Sequence, residues 1–473
     1  MEKIKSIHFV GIKGVGMTPL AIIAKEAGFY VSGSDLAEEF ITDDPLRRKG
    51  IEPLIGFSED HLKGADLVVT TGAHGGFENI EVITARKKNI PVWTQGQTVG
   101  EFMKGEIFGK NFVGISVAGS HGKTTTTAML ATILSVANLD PSFLIGTGNI
   151  DSLGLPGHFG KGKYFISEAD EYITEPKFDK TPKFLWQHPN LAIFTNIEYD
   201  HPDIYKSVDQ VRNSFLAFAG NIRKNGILIA NGDDSELRIL LKDYKGEKIT
   251  FGFSPNNNYV IHKITIEEER TFFWVNAYGT SQGQFSLNIT GDFNALNALG
   301  AVVAAVEIGL PINKIKTGLS RFTGSKRRLE FIGRLRSGAM VFDDYAHHPT
   351  EIKKTLKAIR SSYPKAKIVC IFQPHTYSRT KALFDKFIRC FSDADTIIFT
   401  DIYSSLREEK DETISSKILA EKTSAVHKES IFLPELSDVV EYIDQKEFPY
   451  STIIVTMGAG DIYKISERLK FKT

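Results

Sequence analysis

The sequence predicts an α/β protein of three domains, and three observations carry that prediction. Short apolar runs, Ile7 to Gly11, Leu67 to Thr70, Leu191 to Thr195, Ile368 to Phe372, Thr396 to Phe399 and Ile453 to Thr456, alternate with helix-length amphipathic segments. That alternation is the pattern of parallel sheets with helical crossovers. Glycine turns or polar clusters follow several of these runs, at the carboxyl ends of strands where open α/β sheets bind ligands. At 473 residues the chain is long for one hydrophobic core, and its length suits about three domains.

Composition narrows the partners. Lys plus Arg and Asp plus Glu each number 57, so the formal net charge is zero and nothing points to nucleic acid or an anionic membrane. The two cysteines, Cys370 and Cys390, lack metal-type spacing, and the chain opens on a charged residue and a strand rather than a signal peptide. A cytoplasmic protein is expected. No apolar run approaches the roughly 18 residues that span a bilayer, so membrane insertion is not expected.

The first section, residues 1–110, opens with a strand entering Gly11-Ile12-Lys13-Gly14-Val15-Gly16, followed by a helix from Met17 to Ala27 and a second strand ending at Asp35. Glycines before a helix N-terminus can seat a diphosphate, and an acid about 20 residues on can bond a ribose. The spacing is G-x-x-G-x-G rather than G-x-G-x-x-G. An ordinary tight strand–helix connection, a diphosphate-bearing nucleotide and NAD all remain open on this signal.

The second section, residues 111–321, begins with an apolar strand, Phe112 to Val117, that runs into Ala118-Gly119-Ser120-His121-Gly122-Lys123-Thr124-Thr125. Backbone amides of such a loop turn around phosphate oxygens, the Lys neutralises the outer phosphates, and the Thr hydroxyl can ligate Mg²⁺. The usual pattern has a further glycine where Val117 stands. Two more strands deliver Ser167-Glu168-Ala169-Asp170-Glu171 and Thr195-Asn196-Ile197-Glu198-Tyr199-Asp200-His201 beside this loop, where a phosphate-bound metal has to sit. Oxygen ligands with one imidazole suit Mg²⁺ or Mn²⁺, and no Cys or paired-His spacing supports zinc. The less regular stretch Asp243 to Ile289 reads as antiparallel strands.

The third section, residues 322–473, begins where Ser325-Lys326-Arg327-Arg328 interrupts the pattern. Its strands lead into Asp343-Asp344-Tyr345-Ala346-His347-His348-Pro349-Thr350-Glu351 and Gln373-Pro374-His375-Thr376-Tyr377-Ser378-Arg379-Thr380. Thr350 is expected to cap the following helix, with Pro349 as a breaker. Capping does not account for two adjacent histidines and an arginine in strand-end loops.

GSHGKT, TNIEYDH, NALNA, KRRLE, DDYAHHPTE, FQPHTYSRT and TMGAGDI, in that order, resemble the Mur ligases of bacterial cell-wall synthesis, and the likeness covers essentially the whole chain. The family's shortened phosphate loop also accounts for Val117. The resemblance implies a Rossmann-like N-terminal domain for a UDP-sugar, a central ATPase domain with a parallel sheet plus a small antiparallel part, and a Rossmann-like C-terminal domain that admits an amino acid. It implies ATP-driven amide formation between UDP-N-acetylmuramic acid and L-alanine through an acyl phosphate, by a monomer or homodimer.

Carried over motif by motif, Gly119, Ser120, His121, Gly122, Lys123, Thr124 and Thr125 would cradle ATP, with Lys123 on the β- and γ-phosphates. Thr124 and Glu168 would hold the first Mg²⁺ and His201 the second. Asn294 would meet adenine, and Arg327 and Asp344 would engage ATP from the third domain. His348 and Arg379 would serve the amino acid, a guanidinium being suited to a free carboxylate. Gly11, Gly14, Gly16, Met17 and Asp35 would seat the UDP-sugar.

Several residues depart from the family pattern. Phe293 stands where many relatives carry His, and Thr376 where part of the family carries Arg. The segment Glu171 to Gln187 looks more like the branch that recycles murein tripeptide onto the same sugar nucleotide. Val211 to Ile222 contains no lysine, which favours the first-step or recycling branches over those that add later residues. Two readings from other classes are a nicotinamide-dependent oxidoreductase and a non-catalytic ATP-binding protein.

Overall fold

The computed structural model describes residues 4–267, 269–404, 408–427 and 429–471. Three α/β units follow one another along the chain, each built on its own sheet. In the first, five parallel strands lie in the order Leu54–Ile55, Tyr30–Asp35, Ser6–Val10, Leu67–Thr70, Val92–Thr94. The helix Thr18–Glu26 packs against this sheet, and every residue from Thr18 to Ala24 is buried.

The central unit is a ten-stranded sheet. Its parallel part places the strand Val113–Ala118 between Tyr164–Ala169 and Leu191–Phe194. The antiparallel strands expected in the Asp243 to Ile289 stretch are Tyr259–Glu267, Arg270–Ala277 and Thr280–Leu287, and they extend the same sheet because Tyr259–Glu267 pairs in parallel with Glu247–Gly252. Two helices, Lys123–Val136 and Asp292–Glu307, lie together over the sheet and contribute Met129, Ile133, Leu299 and Val303 to the largest core. Both are rich in small and aliphatic residues, so they can approach the sheet and each other closely.

The third unit is a six-stranded sheet in which only the edge strand Glu330–Arg334 runs antiparallel. Its strand Met340–Asp344 feeds the helix Pro349–Ser362. Here the expected cap is corrected. His348, not Thr350, is the N-cap: its Nδ1 accepts from the Thr350 amide, Pro349 opens the first turn, and Glu351 completes a capping box. A proline at the first helical position needs no amide partner, so the cap falls on the residue before it.

Among the described residues no helix is long and apolar enough to cross a membrane.

Candidate active site

The phosphate loop is short because its strand is long. Val117 lies inside the strand Val113–Ala118, in register with Glu168 on one side and Ile193 on the other, so the turn begins only at Gly119. Gly119 has φ 149°, and a Cβ there would fall 1.9 Å from Thr195 Oγ1. Gly122 has φ 83° and caps the helix Lys123–Val136, and a Cβ there would lie 2.5 Å from Asn297 Oδ1. Both positions exclude side chains, and because the Ser120 and His121 amides are bonded to Asn196, it is the helix N-terminus beginning at Gly122 that stays open to phosphate.

Acids from the neighbouring strand meet this loop. Lys123 Nζ lies 2.8 Å from Glu171 Oε2, and Thr124 Oγ1 donates to Glu168 Oε2 at 3.1 Å. Glu168 also accepts the Gly146 amide at 2.6 Å, while burial pushes its carboxyl above the usual range. Thr124 and Glu168 therefore face each other as two oxygen donors, a pairing that fits a hard divalent cation. His201, at φ 56°, lies 3.8 Å from Glu171 and 3.7 Å from Asp200. Burial lowers its pKa to about 3, so the ring is neutral at pH 7 and its lone pair is available to a metal. Among the described residues, the three-residue grouping of metal-type side chains is a different one, His121, Glu198 and His348, whose ligand atoms lie within 4.8 Å of one another.

Next to the loop a cavity of about 240 Å³ opens between the central and C-terminal units, lined by Thr125, Asn231, Phe293, Asn294, Arg328 and Asp344 among others. Asn294 is held by a bond from Nδ2 to Thr290 O at 2.7 Å. Asp344 accepts the amides of Leu329 and Ala346, both at 2.7 Å, and burial raises its carboxyl to about 7 against the opposing charge of Arg328. The two arginines of the Lys326-Arg327-Arg328 run separate. Arg327, at φ 60°, is buried within the C-terminal unit, where its guanidinium donates to Asp343 at 3.0 Å and to the carbonyls of Gly458 and Gly460. Arg328 reaches the phosphate loop and donates to Thr124 Oγ1 at 3.1 Å. The sequence singled out Arg327, but side-chain direction in a strained turn was not legible there.

The C-terminal loops close the cleft. Arg379 Nε donates to Asp200 Oδ1 at 2.8 Å, and its Nη1 lies 3.0 Å from His375 Nδ1. Thr376 sits at φ 69° just before the helix Tyr377–Ala382. Thr350 Oγ1 donates to Glu198 Oε2 at 2.6 Å. Glu198, Asp200, Glu351 and Arg328 thus all belong to the site although none was singled out from the sequence. The signal for Glu198 and Asp200 was their place in the loop after the strand Leu191–Phe194, and for Glu351 the start of a helix that follows a strand, whereas Arg328, between a helix and an edge strand, had none.

In the N-terminal unit, Gly11 at φ 76° turns the chain out of the first strand, and Gly14, Gly16 and Met17 lead into the helix Thr18–Glu26. Asp35 is buried, and its two oxygens accept the amides of Lys13 and Leu36 at 2.7 and 2.8 Å. It therefore ties the glycine loop to the second strand. The segment noted between Glu171 and Gln187 forms a hairpin, Ile173–Glu175 with Asp179–Pro182, that leans on this unit. There Phe178 stacks on Phe77 with centroids 6.3 Å apart, and Lys177 pairs with Glu78.

Comparisons with known proteins agree with this layout. Residues 6–106 match the family described as Mur ligase family, catalytic domain, residues 117–305 the Mur ligase middle domain, and residues 327–460 the Mur ligase, glutamate ligase domain. The chain is 41% identical over 469 residues to the UDP-N-acetylmuramate–L-alanine ligase of Acetivibrio thermocellus, covering 98% of this chain and 96% of that one. It is 38% identical over 465 residues to the enzyme of the same name from Desulfitobacterium hafniense, with 98% and 99% covered. Among solved structures it resembles the UDP-N-acetylmuramate-alanine ligase MurC of Thermotoga maritima, at TM-score 0.81 and 27% identity over 98% of this chain and 97% of that one. It also resembles a murein peptide ligase of Psychrobacter arcticus, at TM-score 0.72 and 26% identity over 98% of both chains. With three family matches falling in order on the three sheets, and full-length relatives this similar, the chain belongs to the Mur ligase family.

Proposed function

We propose that this chain is a cytoplasmic, ATP-dependent ligase that joins the lactyl carboxylate of UDP-N-acetylmuramic acid to L-alanine in peptidoglycan precursor synthesis. The observation that carries the reading is convergence. A phosphate loop with its acids and a second unit bearing Arg328, His348 and Arg379 meet over one cleft, in a chain similar along its length to L-alanine ligases. Residues 1–110 would hold the UDP-sugar on the Gly11 to Met17 loop, residues 111–321 would hold ATP, and residues 322–473 would present the amino acid.

A carboxylate is a poor electrophile, so its oxygen first takes the γ-phosphoryl group of ATP, the bond to the β-phosphate oxygen breaks, and ADP leaves. The alanine amine then attacks the acyl carbon and gives up a proton, and the carbon–oxygen bond to phosphate breaks. The protein's part is positioning and charge stabilisation. Lys123 would supply the cation at the phosphates, and the amides at the helix N-terminus, from Gly122 to Thr125, would surround them. Thr124 and Glu168 would hold one Mg²⁺ and the neutral His201 a second, Mn²⁺ fitting the same donors, and the ions would neutralise phosphate charge. Asn294 and Asp344 line the cavity where the nucleoside would lie. Arg379 would draw the free carboxylate of alanine into the cleft beside Asp200, and His348 would serve the same substrate.

A second reading keeps the donor and replaces alanine with a ready-made peptide. It is favoured by the hairpin from Ile173 to Pro182, which sits against the N-terminal unit, and by the similarity to the Psychrobacter arcticus murein peptide ligase. A competition assay offering L-alanine, glycine, L-serine and the L-Ala-γ-D-Glu-diaminopimelate tripeptide separates the two. The expected result is phosphate release only when UDP-N-acetylmuramate and an amino acid are both present, with L-alanine consumed. Brisk ATP hydrolysis with neither substrate would refute the ligase reading, and exclusive use of the tripeptide would replace alanine as acceptor.

A further inference from the structure

The ring of His121 lies between two carboxylates from different units. Its Nδ1 is 3.2 Å from Glu351 Oε1 of the C-terminal unit, and its Nε2 is 3.5 Å from Glu198 Oε2 of the central unit. The side chain is 7% exposed and its centroid is 4.7 Å from that of His348. Both ring nitrogens face these carboxylates off the ideal hydrogen-bond line, so charge carries the larger part of the linkage.

We propose that His121 is a positioning residue, an imidazolium that couples the phosphate loop to the loop presenting the amino acid. Each end of the linkage is anchored. The His121 amide donates to Asn196 Oδ1 at 2.9 Å and its carbonyl accepts from Asn196 Nδ2 at 2.9 Å, so the ring moves with the phosphate loop. On the other side, Glu351 accepts the amides of His347 and His348 at 3.1 and 3.2 Å, so displacing its carboxylate displaces that loop. Burial by itself would lower the pKa of His121, yet the charge of Glu351 and then polar contact with Glu198 and Glu351 raise it to about 10, which keeps the ring cationic at neutral pH. A buried charge pair is weakly screened by salt, and one without a fixed hydrogen-bond direction tolerates sliding as two units close. Lys123 holds the phosphates, and His121 sets where the acceptor stands relative to them.

The inference rests on the ligase reading, and a double-mutant cycle on the full chain tests the two separately. Wild type, His121→Gln, Glu351→Gln and the double variant are assayed for kcat, acceptor KM and ATP Kd, with thermal melting as the check on folding. Each single change is expected to raise acceptor KM or lower kcat by about 10-fold and to move ATP Kd by less than about 3-fold, and the double variant to lose little more than the worse single. If His121→Gln does not fold, His121→Asn takes its place in the same cycle with Glu351→Gln, because it also removes the imidazolium while keeping a polar side chain. Additive losses, or ATP affinity falling in step with acceptor affinity, overturn the positioning role. A wild type that releases no phosphate with any acceptor overturns the ligase reading as well.

Discussion

Arg379→Ala offers the sharpest separation between function and folding. The guanidinium and the Asp200 carboxylate have side chains only 4% and 5% exposed and lie 2.8 Å apart, and burial would raise the Asp200 pKa were it not for Arg379, which holds it well below its usual value. Removing the arginine leaves a buried carboxylate without its main partner, a loss of about 3–5 kcal/mol in comparable pairs. Asp200 follows the central strand Leu191–Phe194, whereas Arg379 belongs to the C-terminal helix Tyr377–Ala382, so the loss falls on the contact between units rather than inside either. At about 1.4 kcal/mol per factor of ten, even the lower figure amounts to about 10²-fold. Phosphate release under subsaturating acceptor should therefore fall by about 10²-fold or more in kcat/KM, while the melting temperature shifts by no more than about 4 °C, as expected for ~1 kcal/mol or less within a unit. Activity within about threefold of wild type would refute the reasoning, as would a collapse in melting temperature that accounts for the lost activity.

Two further outcomes concern how the N-terminal unit is held. His158 donates to Glu26 across the first interface at 2.8 Å and to Asp140 at 2.9 Å, and these carboxylates, Glu26 first, raise its pKa. Its stabilising contribution is full below about pH 6.5 and is lost as pH rises through the raised value, whereas that of Glu26, lowered to about 2 despite its burial, is full above about pH 4.5 and lost in acid. His158→Gln should therefore cost more melting temperature at about pH 5.5 than at about pH 9, and an equal loss at both would show that the imidazolium contributes nothing. Gly100→Ala should destabilise the fold by about 1–3 kcal/mol in urea titration, because a Cβ there would fall 2.1 Å from the Trp186 carbonyl where the helix Gln95–Lys104 abuts the central unit. Unchanged stability would mean that the interface yields more easily than the packing implies.

Much of the site was legible because its residues cluster in sequence at strand ends. Lys123, Thr124 and His201 follow, and Glu168 lies at the carboxyl end of, three adjacent parallel strands, which deliver those ends to one edge. The partners of these residues were less legible. Nothing in Lys326-Arg327-Arg328 says which guanidinium turns inward, since a residue at φ 60° sends its neighbours in directions that periodicity does not describe. The cap of the helix Pro349–Ser362 shows the same limit on a smaller scale. Serine and threonine are the common caps, yet the proline fixed the helix start and left the position to a histidine.

The sequence by itself determined the three α/β units, the phosphate loop and the family, because hydrophobic periodicity and short glycine-bearing motifs are local properties of the chain. Only the tertiary structure decided that His121 stands between Glu198 and Glu351, that Asp200 rather than solvent faces Arg379, and that Arg328 is the arginine at Thr124. Those contacts join residues 77 to 230 positions apart, in and across a cleft whose charges are settled by burial and by which unit packs on which.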